Sequence, residues 1–134
     1  MLILLKERTE SAELMTMRYL NRRMEFTEKD KLNYLNLEKG YEGEVEFDKL
    51  TKNLQGERYI INDLLLEVNH SYFQIDSLMI SQSCIHLLDI KNFQGDWYIE
   101  GDKFYSVSTH REYKHPINQL KRCETLLRQL LQTL

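Results

Sequence analysis

The sequence predicts an α/β protein in which helices pack against one main β-sheet. Two observations predict this class. Apolar residues recur at helical spacing over the first 54 residues and again after Pro116, whereas residues 58–108 alternate with the shorter period of strands. Because helices and strands bury their apolar faces against one another, a block of strands between helices predicts an α/β or α+β sandwich.

The first forty residues are polar and helical in pattern, with no proline and no glycine before Gly40. Three helices are predicted in the N-terminal part of the chain, over residues 9–24, 27–40 and 41–54. Thr9 or Ser11 is available as N-cap of the first helix, and Gly40 suits the end of the second. This pattern predicts an N-terminal helical arm over residues 1–39, which serves packing, spacing or homo-oligomerisation, and a domain over residues 40–134.

The strands follow the third predicted helix. Their predicted ranges are 58–68, 71–80, 84–93 and 96–108. The last range is typical of a hairpin that turns around Gly101. A final amphipathic helix begins at Pro116, because proline is tolerated in the first turn of a helix. The aromatic residues of the last hairpin predict core and cross-strand pairs in preference to a platform for stacking bases: Trp97, Tyr98, Phe104 and Tyr105.

Length and composition are those of one globular domain. The chain has 134 residues, of which 42% are apolar and 29% charged. The apolar start, residues 1–5, is far too short for a membrane span and lacks the layout of a signal peptide. Cys84 and Cys123 belong to no motif and are predicted to be reduced core thiols, and His86 is predicted to be a core histidine. These features indicate a cytoplasmic protein without a membrane partner.

The net charge of −3 conceals an uneven distribution along the chain. Residues 41–102 hold 4 Lys and Arg against 12 Asp and Glu, a balance of −8, whereas residues 103–134 hold 6 against 2, a balance of +4. An acidic segment with buried carboxylates needs a cation, and a basic flank can hold a polyanion. Solvated surface charge is the alternative. Four basic residues are candidates for phosphate contacts: Arg111, Lys114, Lys121 and Arg122.

Charged residues near the ends of apolar strands define the candidate site. Residues 73–80 and 84–91 are predicted to form a tight hairpin whose paired positions sum to 165. Asp76 then lies opposite Asp89, with Cβ atoms roughly 5 Å apart, and like charges in that position repel. A shared proton, the nearby Lys91 or a divalent metal would relieve the repulsion. An ordinary ion pair between Asp89 and Lys91 is the alternative.

The chemistry of such a carboxylate pair favours a hard metal ion. Strict alternation puts Asp76 on the face of Leu78 and Ile80, and the opposite face of the hairpin is apolar as well. The pair is therefore expected in a partly desolvated cleft at the open end of the hairpin. Two carboxylates, a backbone carbonyl and waters make an oxygen site suited to Mg²⁺.

Four segments together resemble the nuclease-related domain (NERD) family: "GYEGE" (40–44), "FQIDSLMI" (73–80), "LLDIKNFQG" (87–95) and "HPINQLKR" (115–122). The resemblance covers about residues 38–130. It implies the restriction-endonuclease-like fold of the PD-(D/E)xK superfamily, in which helices flank a central mixed β-sheet.

The resemblance also implies roles for individual residues. Asp76 and Asp89 would bind Mg²⁺ or Mn²⁺ together with the carbonyl oxygen of Ile90. Lys91 would orient or help to deprotonate the attacking water and would stabilise charge on the phosphate.

Two further residues receive roles at the edge of the site. Glu44 would be an outer carboxylate of the metal site, although the helix dipole also favours a carboxylate in the first turn of the predicted helix 41–54. Gln119 would hydrogen-bond into the site from the last helix. The sequence departs from the family pattern twice, because Asp89 stands where the family usually has glutamate and His115 where asparagine commonly precedes the proline.

These expectations predict a metal-dependent nuclease that hydrolyses phosphodiester bonds, with DNA as the favoured substrate. One alternative is a nuclease-fold module with weak or no turnover that acts in nucleic-acid binding or protein assembly. Another is a purely structural oligomerisation unit that depends on the N-terminal helices. The intact set of Asp76, Asp89 and Lys91 favours the enzyme, since a degenerate site usually loses one of the three.

Overall fold

The structure is a computed structural model that describes all 134 residues. It contains three helices and seven strands. In chain order these elements are β1 (Leu2–Lys6), α1 (Ala12–Asn21), α2 (Glu28–Thr51), β2 (Arg58–Val68), β3 (Ser71–Ser81), β4 (Cys84–Leu88), β5 (Trp97–Glu100), β6 (Lys103–Ser106), β7 (Glu112–Tyr113) and α3 (Pro116–Gln132).

The main sheet has four strands in the order β1-β2-β3-β4. β1 runs parallel to β2 and the other neighbours are antiparallel, so the sheet is mixed. The apolar core joins this sheet to α3 and includes Phe73, Ile75 and Leu127. The prediction of an α/β protein with one main mixed sheet and helices is confirmed.

The N-terminal half departs from the sequence prediction. Residues 2–6 lie in the predicted helical arm, but they form strand β1, which pairs with β2. α2 is one helix that passes through Gly40, so the predicted helix end at Gly40 and the separate helix over 41–54 are wrong. Leu37 and Tyr41, on either side of the glycine, are half-buried. Packing of this kind outweighs the cost of about 1 kcal/mol that glycine brings to a helix interior.

The starts of α1 and α3 agree with the sequence prediction. Ser11 caps α1, and its Oγ accepts a hydrogen bond from the backbone N–H of Leu14 at 3.1 Å. α3 begins at Pro116. The backbone N–H of Ile117 donates to Nδ1 of His115 at 3.3 Å, so His115 caps this helix.

The hairpin of β3 and β4 has the predicted register. Ser77 pairs with Leu88 and Ile80 with Ile85, positions that sum to 165. β4 ends at Leu88, one residue before Asp89. The candidate site therefore lies where the hairpin opens.

The last hairpin is also confirmed. Glu100 pairs with Lys103 across a turn that contains Gly101. Gly101 has a φ of +64°, a conformation that glycine adopts without strain. With β7, this hairpin forms a separate three-stranded antiparallel sheet.

The alternation of faces changes in the middle of β3. The apolar core contains Ile75 and then Leu78, which are three residues apart. Residues three apart on a regular strand lie on opposite faces, so strict alternation through Asp76 is wrong. At the same level of β2, Asp63 has a left-handed backbone with a φ of +52°. Asp76 thus occupies the point where the strand changes face.

Two predictions of burial are wrong. Cys84 and His86 are exposed, because β4 is an edge strand of the sheet. Cys123 is half-buried, and both cysteines are free. None of the helices is long and apolar enough to cross a membrane.

Candidate active site

Asp76 and Asp89 come together at the open end of the β3–β4 hairpin. Asp76 lies in β3 at the change of face, and Asp89 follows the last residue of β4. The backbone N–H of Ile90 donates a hydrogen bond to Asp76 Oδ2 at 2.9 Å. This bond ties the segment after β4 to the carboxylate of β3, and both aspartates are half-buried there.

The ionisation of Asp76 is perturbed by this arrangement. Its pKa is raised to about 6, mainly by burial and further by the neighbouring carboxyl of Asp89. The backbone N–H of Ile90 and the charge of Lys91 act in the opposite direction. A bound cation would also lower this pKa, because it would favour the charged form.

Lys91 lies beside Asp89. Its Nζ is 3.3 Å from Asp89 Oδ2, within ion-pair distance, yet that oxygen is buried and accepts no hydrogen bond. The contact is therefore a charge interaction without hydrogen-bond geometry. The ion pair considered from the sequence exists, but it leaves Asp89 Oδ2 with lone pairs for another partner.

One cavity of about 680 Å³ brings four of the five predicted catalytic residues together. Asp76, Asp89 and Lys91 line it from the sheet side, and Gln119 lines it from α3. The hairpin register and the docking of α3 on the sheet together produce this arrangement, since Gln119 is far from the others in sequence. The cavity is large enough for a phosphodiester group and its flanking sugars.

Two of the four basic residues proposed for phosphate contacts line the same cavity. These are Lys114, which precedes α3, and Arg122 within it. Arg122 also donates a hydrogen bond from Nη2 to the backbone carbonyl of Tyr72 at 3.3 Å. Arg111 and Lys121 are exposed and lie outside the cavity lining.

Arg8, for which the sequence predicted no role, is at the centre of a second charged cluster. Its side chain is only 3% exposed. The guanidinium lies 2.8 Å from Asp48, 3.2 Å from Asp63 and 3.4 Å from Glu44. Nη1 also donates to the backbone carbonyl of Asp76 at 3.1 Å. Arg8 therefore connects the N-terminal segment and α2 to the strand that carries Asp76.

Glu44 belongs to this second cluster and does not line the cavity of the carboxylate pair. It lies in the interior of α2, so the helix dipole does not explain it. Burial raises its pKa to about 7. Arg8 lowers this pKa, whereas the charges of Asp76, Asp63 and Asp48 raise it. Glu44 thus acts on Asp76 through its charge and contacts Arg8 directly.

The carboxylate pair fits a hard cation only with help from backbone oxygens and water. No group of three or more His, Cys, Asp or Glu side chains is arranged to hold a metal ion. Asp76 and Asp89 supply two carboxylates, and a cation would satisfy the buried Asp89 Oδ2, which accepts no hydrogen bond. Mg²⁺ is commonly held by one or two carboxylates with waters and substrate phosphates, so the donor set suits this ion.

Sequence reasoning missed both Arg8 and Asp63. Asp63 has a usable signal, because it is a charge inside the apolar strand "YIINDLLLEV", as Asp76 is inside its own strand. Arg8 has no such signal. Its hydrogen-bond partners lie 40 to 68 residues away in the chain.

The fold and the site define an α/β protein with a carboxylate pair and a lysine in one cavity. The model of the nuclease-related domain (NERD) family matches residues 39–134. The chain belongs to this family, as its resemblance to four family segments predicted. No curated protein and no solved structure gives a significant match. The matched region begins within α2, so Arg8 lies outside it.

Proposed function

We propose that this protein is a metal-dependent nuclease with a restriction-endonuclease-like core, and that it hydrolyses phosphodiester bonds, with DNA as the favoured substrate. The observation that carries the proposal is the cavity shared by Asp76, Asp89, Lys91 and Gln119. Phosphodiester hydrolysis needs an activated water and positive charge near the phosphate oxygens. A carboxylate pair that holds a metal, with a lysine beside it, meets both needs.

Asp76 and Asp89 would hold Mg²⁺ or Mn²⁺, with the carbonyl oxygen of Ile90 as a further ligand. The bound ion would supply a water of lowered pKa and neutralise charge on the phosphate. The hydrogen bond from the Ile90 N–H fixes the carboxylate of Asp76 before any ligand arrives. Such preorganisation improves binding, because less freedom is lost when the ion enters.

Lys91 would orient the attacking water and stabilise charge on the phosphate. Its contact with Asp89 lacks hydrogen-bond geometry, so the ammonium group can turn towards a phosphate at little cost. Its charge is worth more in a partly desolvated cavity than in water. Gln119 would hydrogen-bond to the phosphate or the water from α3, and Glu44 would act as an outer carboxylate behind Asp76.

The basic side chains around the cavity would hold the nucleic-acid backbone. Lys114 and Arg122 line the cavity, and they would contact the phosphates next to the scissile bond. Arg111 and Lys121 would extend this contact over the exposed surface. Binding through such contacts weakens as salt concentration rises, because phosphate contacts release counterions.

A plasmid-nicking assay tests the proposal. Wild-type protein is incubated with supercoiled plasmid and Mg²⁺ or Mn²⁺, beside Asp76→Asn, Lys91→Ala and the control Asp102→Asn in the exposed β5–β6 turn. We expect nicking by the wild type and the control, and a loss of about a hundredfold or more in both site variants. Cleavage that persists in both would reveal a contaminating nuclease and overturn the proposal.

A nucleic-acid-binding or assembly module without turnover is the second candidate. One observation favours it: no group of three or more metal-holding side chains comes together. This candidate predicts equal DNA binding in EDTA and in Mg²⁺. It also predicts no metal binding in calorimetry and no cleavage by any form of the protein.

The N-terminal helices are proposed to form the surface for a homo-oligomer. α1 and α2 leave large apolar side chains exposed: Met15, Tyr19, Leu32 and Leu35. Exposed apolar patches favour association. Light scattering after gel filtration is expected to show an oligomer that Leu32→Glu dissociates, and a monomeric wild type would contradict this.

A further inference from the structure

An aromatic cluster, defined by Phe93, Trp97, Phe104 and Tyr113, lies beside the candidate site. The ring centroid of Trp97 is 4.7 Å from that of Phe93, 5.0 Å from that of Phe104 and 4.9 Å from that of Tyr113. The rings of Trp97 and Phe104 are stacked within 8° of parallel. Nε1–H of Trp97 donates to the backbone carbonyl of Gln94 at 3.0 Å. Trp97 is therefore held firmly at the centre of the cluster.

The outer rings of the aromatic cluster remain open to solvent. Phe93 is 41% exposed and Tyr113 is 44% exposed. Cross-strand packing, the function expected from the sequence, accounts for Tyr98 and Tyr105, whose rings stack at 5.2 Å. It does not account for Phe93 and Tyr113, because a ring that serves packing alone gains stability by being buried.

The aromatic cluster adjoins the cavity of the candidate site by two routes. Phe104 packs against His115, with ring centroids 5.9 Å apart, and His115 lines the cavity. Phe93 follows Lys91 by two residues. Asn92 between them is fixed, since its Nδ2 donates to a backbone carbonyl of α2 at 2.8 Å. Exposed rings and the positive charges of the cavity are therefore neighbours.

We infer that the aromatic cluster binds an unpaired base of a single-stranded nucleic acid, stacked on Phe93, while the backbone of the same strand enters the cavity. This inference rests on the proposed nuclease function and adds the strandedness of its substrate. Charge complementarity supports this occupant, because Lys91, Lys114 and Arg122 outnumber the carboxylates Asp76 and Asp89 in the lining of the cavity that would receive the phosphates. An unpaired strand is required because duplex bases have both faces covered by their neighbours.

Binding in EDTA tests the inference separately from catalysis. The probes are labelled oligonucleotides of about 16 nucleotides, supplied as single-stranded DNA, single-stranded RNA and duplex DNA and followed by fluorescence anisotropy. Trp97 is the single tryptophan of the chain, so quenching of its fluorescence reports stacking at the cluster. We expect a single strand to bind about tenfold tighter than the duplex and to quench Trp97.

Phe93→Leu removes the ring on which the base stacks, and Tyr98→Leu is its matched control on the other face of the hairpin. Phe93→Leu is expected to weaken single-strand binding about tenfold and to leave duplex binding unchanged. Tyr98→Leu is expected to change neither. If circular dichroism shows that Phe93→Leu does not fold, Phe93→Met, which also lacks the ring, replaces it with the same expectation.

Three results would overturn the inference: equal affinity for single strands and duplex, equal losses in the Phe93 and Tyr98 variants, or no binding of any probe. They are distinguishable from failure of the proposed nuclease. A protein that binds single strands through Phe93 but cleaves nothing keeps this inference and loses the nuclease activity. A protein that nicks duplex plasmid while Phe93→Leu binds normally keeps the activity and loses the inference.

Discussion

Replacement of Arg8 by glutamine is expected to destabilise the fold, because it leaves a group of carboxylates without their shared cation. The Arg8 side chain is 3% exposed, and Glu44, Asp48 and Asp63 lie within 3.4 Å of it. Breaking a buried ion pair by removing one partner costs about 3–5 kcal/mol. The carboxylates are themselves 19 to 27% exposed, so solvent screens part of the loss. We expect about 3 kcal/mol, the lower end of that range.

Thermal unfolding measures this loss directly. For a domain of this size, about 3 kcal/mol corresponds to a fall in Tm of roughly 10 °C. Arg18→Gln is the matched control, because Arg18 also contacts two carboxylates, Glu10 and Glu38, but is 32% exposed. An ion pair with that exposure is worth about 1 kcal/mol or less. A loss in Arg8→Gln no larger than in Arg18→Gln would refute the reasoning.

The cost of Arg8→Gln should also depend on pH. Arg8 lowers the pKa of Glu44, which burial nevertheless raises to about 7. Without Arg8 this carboxyl takes up a proton more readily, and a neutral carboxyl needs no cation. The variant should therefore lose less stability at about pH 5 than at about pH 8. The opposite order would show that Arg8 is not the cation that neutralises Glu44.

Further predictions concern α2 and the segment that it holds. The pKa of Glu44 is raised from 4.5 to about 7 in the folded protein. The Glu44 carboxyl therefore ionises at a lower pH in the unfolded chain than in the folded protein, and the folded protein loses stability as the pH rises between these two values. In urea unfolding this loss should be about 1–2 kcal/mol relative to Glu44→Gln, because solvent screens a side chain that is 23% exposed, and a difference independent of pH would contradict it. Gly43→Ala should lower both Tm and nicking, because its Cβ would lie 2.8 Å from Asn92 Cβ and displace the segment of Lys91. Gly40→Ala should instead stabilise the helix by about 1 kcal/mol, because nothing lies within 4 Å of the added Cβ. A change in stability of the same sign in both alanine variants would contradict the close approach at Gly43.

The parts of the candidate site that could be predicted are those that depend on nearby residues. A short turn joins β3 to β4, so the hairpin register follows from the sequence and brings Asp76 and Asp89 together at the open end of the hairpin. The strict alternation expected through Asp76 fails, because the left-handed backbone of Asp63 lies on the neighbouring strand. A pattern within β3 alone carries no information about the conformation of β2.

The sequence by itself determined the α/β class, the two hairpins, the start of α3 at Pro116 and the family. Each depends on residues close together in the chain or on short motifs. Only the tertiary structure decided that α2 continues through Gly40, that residues 2–6 join the sheet, and that Arg8 lies under the site. The physical reason is that packing between distant segments outweighs local preferences of about 1 kcal/mol. A buried arginine whose partners lie 40 to 68 residues away is placed by contacts that form only on folding.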